Sequence, residues 1–247
     1  MGPSRRPDPF FDQSFRGETM TLAITAADWR AIFPHAPDDI IAAFVAQIGA
    51  LDRVGITETR TRLAYTLANA EHECGGFTIT DLTENIGYSA ERLAEVFPKR
   101  FADAAAVRAR FGTAKGWQRK AFDEIYGGRM GNRPGTDDGS RFIGRGCPQI
   151  TGRDGYEQVG SRCGLDLVGQ PRLATLPQHQ PAILAAFCAW KNILRWADKG
   201  DFPRFVHEWN GGENGMADRR ERLAGNDPII ARLRSVATML PALDRLV

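Results

Sequence analysis

The chain has 247 residues, 43% hydrophobic and 25% charged, the composition of an ordinary soluble globular protein with a sizeable core. A net charge of +2, from 32 basic and 30 acidic residues, excludes a strong nucleic-acid footprint. No apolar stretch approaches the ~18 residues of a membrane span.

Residues 1–20 are rich in Pro, Arg, Asp and Gly without periodicity and read as a flexible tail. They include basic residues but no apolar h-region, so no secretory signal is expected. Thr25 caps a short helix through Phe33. Asp38-Asp39 open an apolar helical run through Ile48, Leu51 and Val54 to Gly55. A third helix starts around Thr57–Thr61 and ends at Gly75-Gly76. Ser89 caps a helix through Val96, and residues 103–126 hold one or two more. Gly127–Arg141 reads as a surface loop, Pro181–Trp196 as a strong helix, Gly200–Trp209 as another, and Pro228–Val247 as the last. Cysteines at 74, 147, 163 and 188 lack paired spacing, which reads as free buried thiols in a reducing compartment.

Three segments carry chemistry. The third helix is nearly uncharged from Leu63 to Ala70 and ends on Glu73. Burial and the negative end of the helix macrodipole both disfavour a charged carboxylate there, which suits a group that delivers a proton. Glu84 follows eleven residues later on a polar loop. One carboxyl inside and one nearby is the arrangement that glycosidic-bond hydrolysis uses, with Asp81 a rival for the second role. Between Arg141 and Tyr156, glycines permit close backbone approach, and Gln149 and Thr151 alternate so that both can face one side of an extended strand. Asn210-Gly211-Gly212 offers an amide suited to sugar hydroxyls and N-acetyl groups, and Arg219 can meet a buried carboxylate as a forked donor. His72-Glu73 lacks the H-E-x-x-H spacing of a zinc site, and the 144–155 glycines do not make a dinucleotide fingerprint. No metal and no cofactor are expected. Trp190 and Trp196 read as core.

These blocks together resemble glycoside hydrolase family 19, the family of plant-type chitinases and phage lysozyme-like endolysins. The resemblance rests on His72-Glu73-Cys74-Gly75-Gly76-Phe77, Glu84-Asn85-Ile86-Gly87-Tyr88-Ser89, Gly128-Arg129-Met130-Gly131-Asn132, Gly144-Arg145-Gly146, Gln149-Ile150-Thr151-Gly152 and Asn210-Gly211-Gly212 with Asp218-Arg219. They occur in family order between about residues 60 and 222, in wording closer to the phage and bacterial branch. Cys74 stands where the family usually has Ser or Thr, and Gly155 where it often has Asn.

The resemblance implies a mainly α, lysozyme-like fold of two lobes around a substrate cleft, with at most a small β-hairpin near the active loop. It implies one catalytic domain over residues 21–247. Glu73 becomes the general acid, Glu84 the general base, and Thr151 a hydroxyl holding the attacking water. Gln149, Asn210 and Tyr156 become sugar contacts, and Arg219 the partner of the acid. The implied reaction is inverting cleavage of β-1,4 bonds in peptidoglycan by an endolysin. Chitin is the alternative substrate, and an inactive wall-binding domain the alternative of another class. A monomer made in the cytoplasm and reaching the cell wall after release is the matching expectation.

Overall fold

A computed structural model describes residues 17–79 and 81–240. Among them the fold is mainly α-helical. Strand β1 (Gly17–Leu22) precedes α1 (Ala26–Ile32), α2 (Asp38–Ala46), α3 (Ile48–Arg53) and α4 (Arg60–Cys74). Then come α5 (Ala90–Val96), α6 (Ala104–Phe111), α7 (Trp117–Tyr126), α8 (Asp138–Arg141) and α9 (Gly152–Cys163). The chain continues through α10 (Gln180–Lys191), α11 (Leu194–Asp198), α12 (Phe202–Asn210), α13 (Met216–Ala231) and β2 (Ser235–Leu240).

The predicted caps hold. Thr25 makes a full capping box with Asp28. Thr59 is extended, and its side chain accepts from Arg62 N at the start of α4. Ser89 does the same for Arg92 N at the start of α5. Each cap satisfies one of the amides that a helix start leaves without a partner.

The helices bury their apolar faces in two separate clusters, which makes two lobes. The larger gathers Trp29 of α1, Phe33 just beyond its end, Phe44 of α2, Leu63 and Leu67 of α4, Tyr156 of α9, Leu184 of α10 and Phe205 of α12. Phe77 closes it from beyond α4, with its ring centroid 5.0 Å from that of Phe33. The smaller lobe packs Leu93 of α5, Val107 of α6, and Phe122 and Ile125 of α7.

The chain crosses between these clusters twice, and both crossings are abrupt. Leu82 lies in the large core while Ile86 packs on the small one; Phe142 lies in the large core and Ile143 in the small. Residues 86–141 are therefore a lobe inserted between two crossing points, and at the second of these Phe142 and Ile143 pack into different cores. The crossings bond to each other: Glu84 N donates to Gly144 O at 2.8 Å, and Gly146 N to Leu82 O at 2.9 Å. Isolated antiparallel bridges join Thr83 to Arg145 and Arg145 to Ile150. Those bridges stand where a small hairpin was expected. Within the inserted lobe, the 127–141 segment contains α8 and a fully buried Asp138. Forked bonds from Arg133 hold the Asp138 carboxyl down at about 2.

Three expectations need correction. Residues 1–16 of the predicted tail lie outside the described residues, but 17–20 belong to β1, which pairs antiparallel with β2 from Gly17↔Leu240 to Leu22↔Ser235. The predicted last helix, 228–247, does not form. Pro228 sits instead inside α13, the chain turns into β2 at Ser235, and residues 241–247 lie outside the described residues. The predicted 181–196 helix breaks at Asn192, a left-handed residue with φ 48°. All four cysteines are free, as expected. Cys74, Cys147 and Cys188 are buried, and burial pushes the Cys74 and Cys188 thiols up to about 12.

Candidate active site

Glu73 lies in the last turn of α4, before left-handed Gly75. Its Oε1 accepts from Arg219 Nη2 of α13, 146 positions away. Arg219 is 1% exposed, so its charge needs compensation on every side. Nη1 donates to Asn69 Oδ1 at 2.6 Å and Nε to Asn214 O at 3.2 Å. Asn69 is itself fully buried and donates to Tyr65 O at 2.8 Å. The Glu73 carboxylate is thus the outermost member of a buried chain of polar groups.

The neighbouring turns clasp the same two helices. His72 Nδ1 lies 2.5 Å from Asp218 Oδ2, which also accepts from Arg222 Nε at 2.7 Å. Gly215 is required for this approach, because a Cβ there would lie 2.3 Å from the His72 ring. Glu71 is buried against Asn226, with Arg222 Nη1 at 3.7 Å, and burial raises its carboxyl to about 7.

Glu84 is held differently. It sits on the first crossing between the lobes, and Gly144 N donates to its Oε2 at 3.0 Å. It faces an open groove of about 1100 Å³, which also receives Asp81, the rival base. Asp81 is exposed.

Glu73, Gln149, Thr151 and Asn210, four of the predicted site residues, come together in a second cavity of about 500 Å³. Gln149 and Thr151 reach it by a turn rather than by the expected strand, since Gln149 is left-handed with φ 55°. Met130, at φ 51°, lines the same cavity. Left-handed non-glycine residues carry strain and tend to gather at functional sites. Thr151 is the N-cap residue of α9, but its hydroxyl makes no capping bond; it donates to Gln149 O at 3.0 Å. The Asn210 side chain spans its own loop, accepting from Gly212 N and donating to Asn214 O.

Gly144 lies between a residue of each cavity, Gln149 of the smaller and Glu84 of the larger. A Cβ on that residue would lie 2.4 Å from Gln149 Oε1 and 3.4 Å from Glu84 Oε2. The sugar-type amide and the second carboxylate therefore converge on one bare backbone position.

Tyr156 is corrected. It was expected among the sugar contacts but is fully buried in the large core. Its hydroxyl donates to Ile143 O at 2.6 Å and accepts from Arg145 Nη1 at 2.7 Å, so it braces the second crossing from below. Trp190, read as core, is half-buried and lines the Glu73 cavity with Lys191, whose Nζ lies 4.7 Å from the indole centroid. Burial lowers the Lys191 ammonium from its ordinary value. Gly155 packs beneath the Trp190 indole, where a Cβ would lie in ordinary contact with the ring edge at 3.6 Å. Asp154, which is not among the expected site residues, also lines the cavity. Its position, three residues after Thr151 in a newly started helix, would have pointed to it had α9 been foreseen.

Among the described residues, no helix is long and apolar enough to cross a membrane. No family model matches the chain. The chain is 31% identical over 204 residues to a protein of Haemophilus influenzae described as a glycosyl hydrolase family 19 domain-containing protein, covering 81% of this chain and 94% of that one. Similar solved structures include chitinase C from Streptomyces griseus, at 16% identity and a TM-score of 0.49 over 84% of this chain and 92% of that one. Another is a bacterial family 19 chitinase, at 18% identity and a TM-score of 0.42 over 84% and 93%.

Proposed function

The chain belongs to glycoside hydrolase family 19, and we propose that it is a cell-wall lysin that cuts the β-1,4 bonds of peptidoglycan by single displacement. The observation that carries the reading is that Glu73 shares its cavity with Gln149, whose amide converges with the Glu84 carboxylate on Gly144. Glu73 stands over the amide-lined cavity and Glu84 over the open groove.

In this reading Glu73 gives its proton to the glycosidic oxygen as the bond to the anomeric carbon breaks. Glu84 takes a proton from a water that attacks the same carbon from the opposite face, so the configuration inverts. Arg219 holds the Glu73 carboxyl at the helix end, and the rest of the Arg219 fork is tied to Asn69 and Asn214. The Thr151 hydroxyl, free of the helix cap, is available to orient the water. Gln149 and Asn210 present amides that suit an N-acetylated sugar, and Trp190 presents an indole edge.

Peptidoglycan is favoured over chitin by the phage-like wording of the motif blocks. The test is release of new reducing ends from purified peptidoglycan and from soluble chitin oligomers, with Glu73→Gln as the blank. Cleavage of peptidoglycan supports the reading. Cleavage of chitin alone makes the chain a chitinase, and silence on both returns the wall-binding alternative.

A further inference from the structure

The groove beside Glu84 has a lining unlike that of the Glu73 cavity. It carries four arginines, at 119, 141, 145 and 172, and four carboxylates, at 81, 84, 123 and 137. Opposite charges that line one groove often pair. Among the described residues, none of the eight takes part in an ion pair within 4.0 Å.

Backbone groups occupy the inner half of them. Arg141 donates to Val168 O and Gly169 O, Arg145 to Arg141 O, and Asp123 accepts from Ser140 N. The outer half consists of Arg119, Arg172, Asp81 and Asp137. These are exposed, and their side chains make no hydrogen bond among the described residues. Two cations and two anions are thus held apart on the walls of a concave site.

An uncharged glycan threading this groove would offer those groups hydroxyl and amide partners but no counter-charge. A ligand with charges of both signs would return charge-assisted hydrogen bonds. We propose that this groove is a second subsite, which binds the zwitterionic peptide stem of peptidoglycan, carboxylates toward Arg119 and Arg172 and a free amine toward Asp81 or Asp137. This rests on the peptidoglycan reading and gives it a chemical basis on the Glu84 side of the cut bond. The Glu73 cavity would then read the sugar and the groove its substituent.

The experiment compares three substrates: intact peptidoglycan, the same strands freed of their stems by an amidase, and chitin oligomers. Reducing ends are counted for the wild-type chain and for the double variant Arg119→Gln, Arg172→Gln. Both arginines are exposed and unpaired, so the fold should survive, and circular dichroism checks that it does. The wild type should prefer intact over stripped strands by about tenfold in kcat/KM. In the double variant the preference should collapse toward one, through a raised KM on intact strands with kcat kept. Equal kcat/KM on intact and stripped strands for the wild type, or an undiminished preference in the variant, overturns the subsite while leaving the lysin reading intact. Cleavage of chitin with neither form of peptidoglycan cut overturns the lysin reading and the subsite with it.

Discussion

The two carboxylates at the cleft are anchored by opposite means. Glu73 is held by side chains: a buried guanidinium from α13, backed by Asn69 and flanked by the His72–Asp218–Arg222 and Glu71–Asn226 contacts. Glu84 is held by backbone, through the Gly144 amide and the short bridges between the two crossings. Side-chain anchoring ties the position of Glu73 to long-range packing of the large lobe, so damage to the anchor should reach stability. Backbone anchoring leaves Glu84 on the joint between lobes, where small steric changes should reach activity first.

The strongest test of this pairing removes each carboxyl. Glu73→Gln and Glu84→Gln should each lower kcat by about 10³-fold with the fold retained. Turnover surviving either change would break the two-carboxylate account. Removing the acid's anchor comes next. Arg219→Ala should cost about 3–5 kcal/mol in denaturant unfolding, because Glu73 loses the one charge partner it has among the described residues and Asn69 Oδ1 loses its buried donor. A stability loss below 1 kcal/mol would mean the clasp does not hold the lobe.

Glu71 sharpens the same side through pH. Its folded value of about 7 lies above its ordinary value of 4.5, so the folded state binds the proton more tightly than the unfolded chain does. The resulting stability is fully present below pH 4.5 and is lost as pH rises through about 7. The loss is on the order of 3 kcal/mol. Glu71→Gln should flatten that decline in melting temperature between those values, and an unchanged profile would refute it.

The Glu84 side should answer to subtler changes. Gly144→Ala should push the flexible Gln149 side chain aside and cost about tenfold in kcat/KM, with far less stability lost than in Arg219→Ala. If Gly144→Ala destabilised as much as Arg219→Ala, the contrast between the two anchors would fail. Asp81→Asn, in the same groove without Glu84's amide bond, should change kcat on a small substrate by less than about twofold.

Much of this was legible in the sequence because it is local. Thr25, Thr59 and Ser89 each announce a helix through a side chain that bonds three residues ahead. The nearly uncharged run ending at Glu73 announces a buried helix with a polar end. The pairing of β1 with β2 left no such mark, since its partners lie at opposite ends of the chain. Helix α9 was hidden by its own glycines. Gly152 meets Met130, and Gly160 lets the helix approach Leu165 O, so residues that lower helix propensity are kept for contact. Tyr156 was misread for a related reason. Its place in a motif points to the cleft, whereas its side chain turns into the core to hold Ile143 O and Arg145.

The central claim is single displacement by Glu73 and Glu84, and the anomer of the first product tests it most directly. Proton NMR during the first minutes of cleavage, on whichever polymer is cut, should show the new reducing end appearing as the α-anomer from a β-linked strand. A β-anomer appearing first would mean retention, and would contradict a water delivered by Glu84 from the face opposite Glu73.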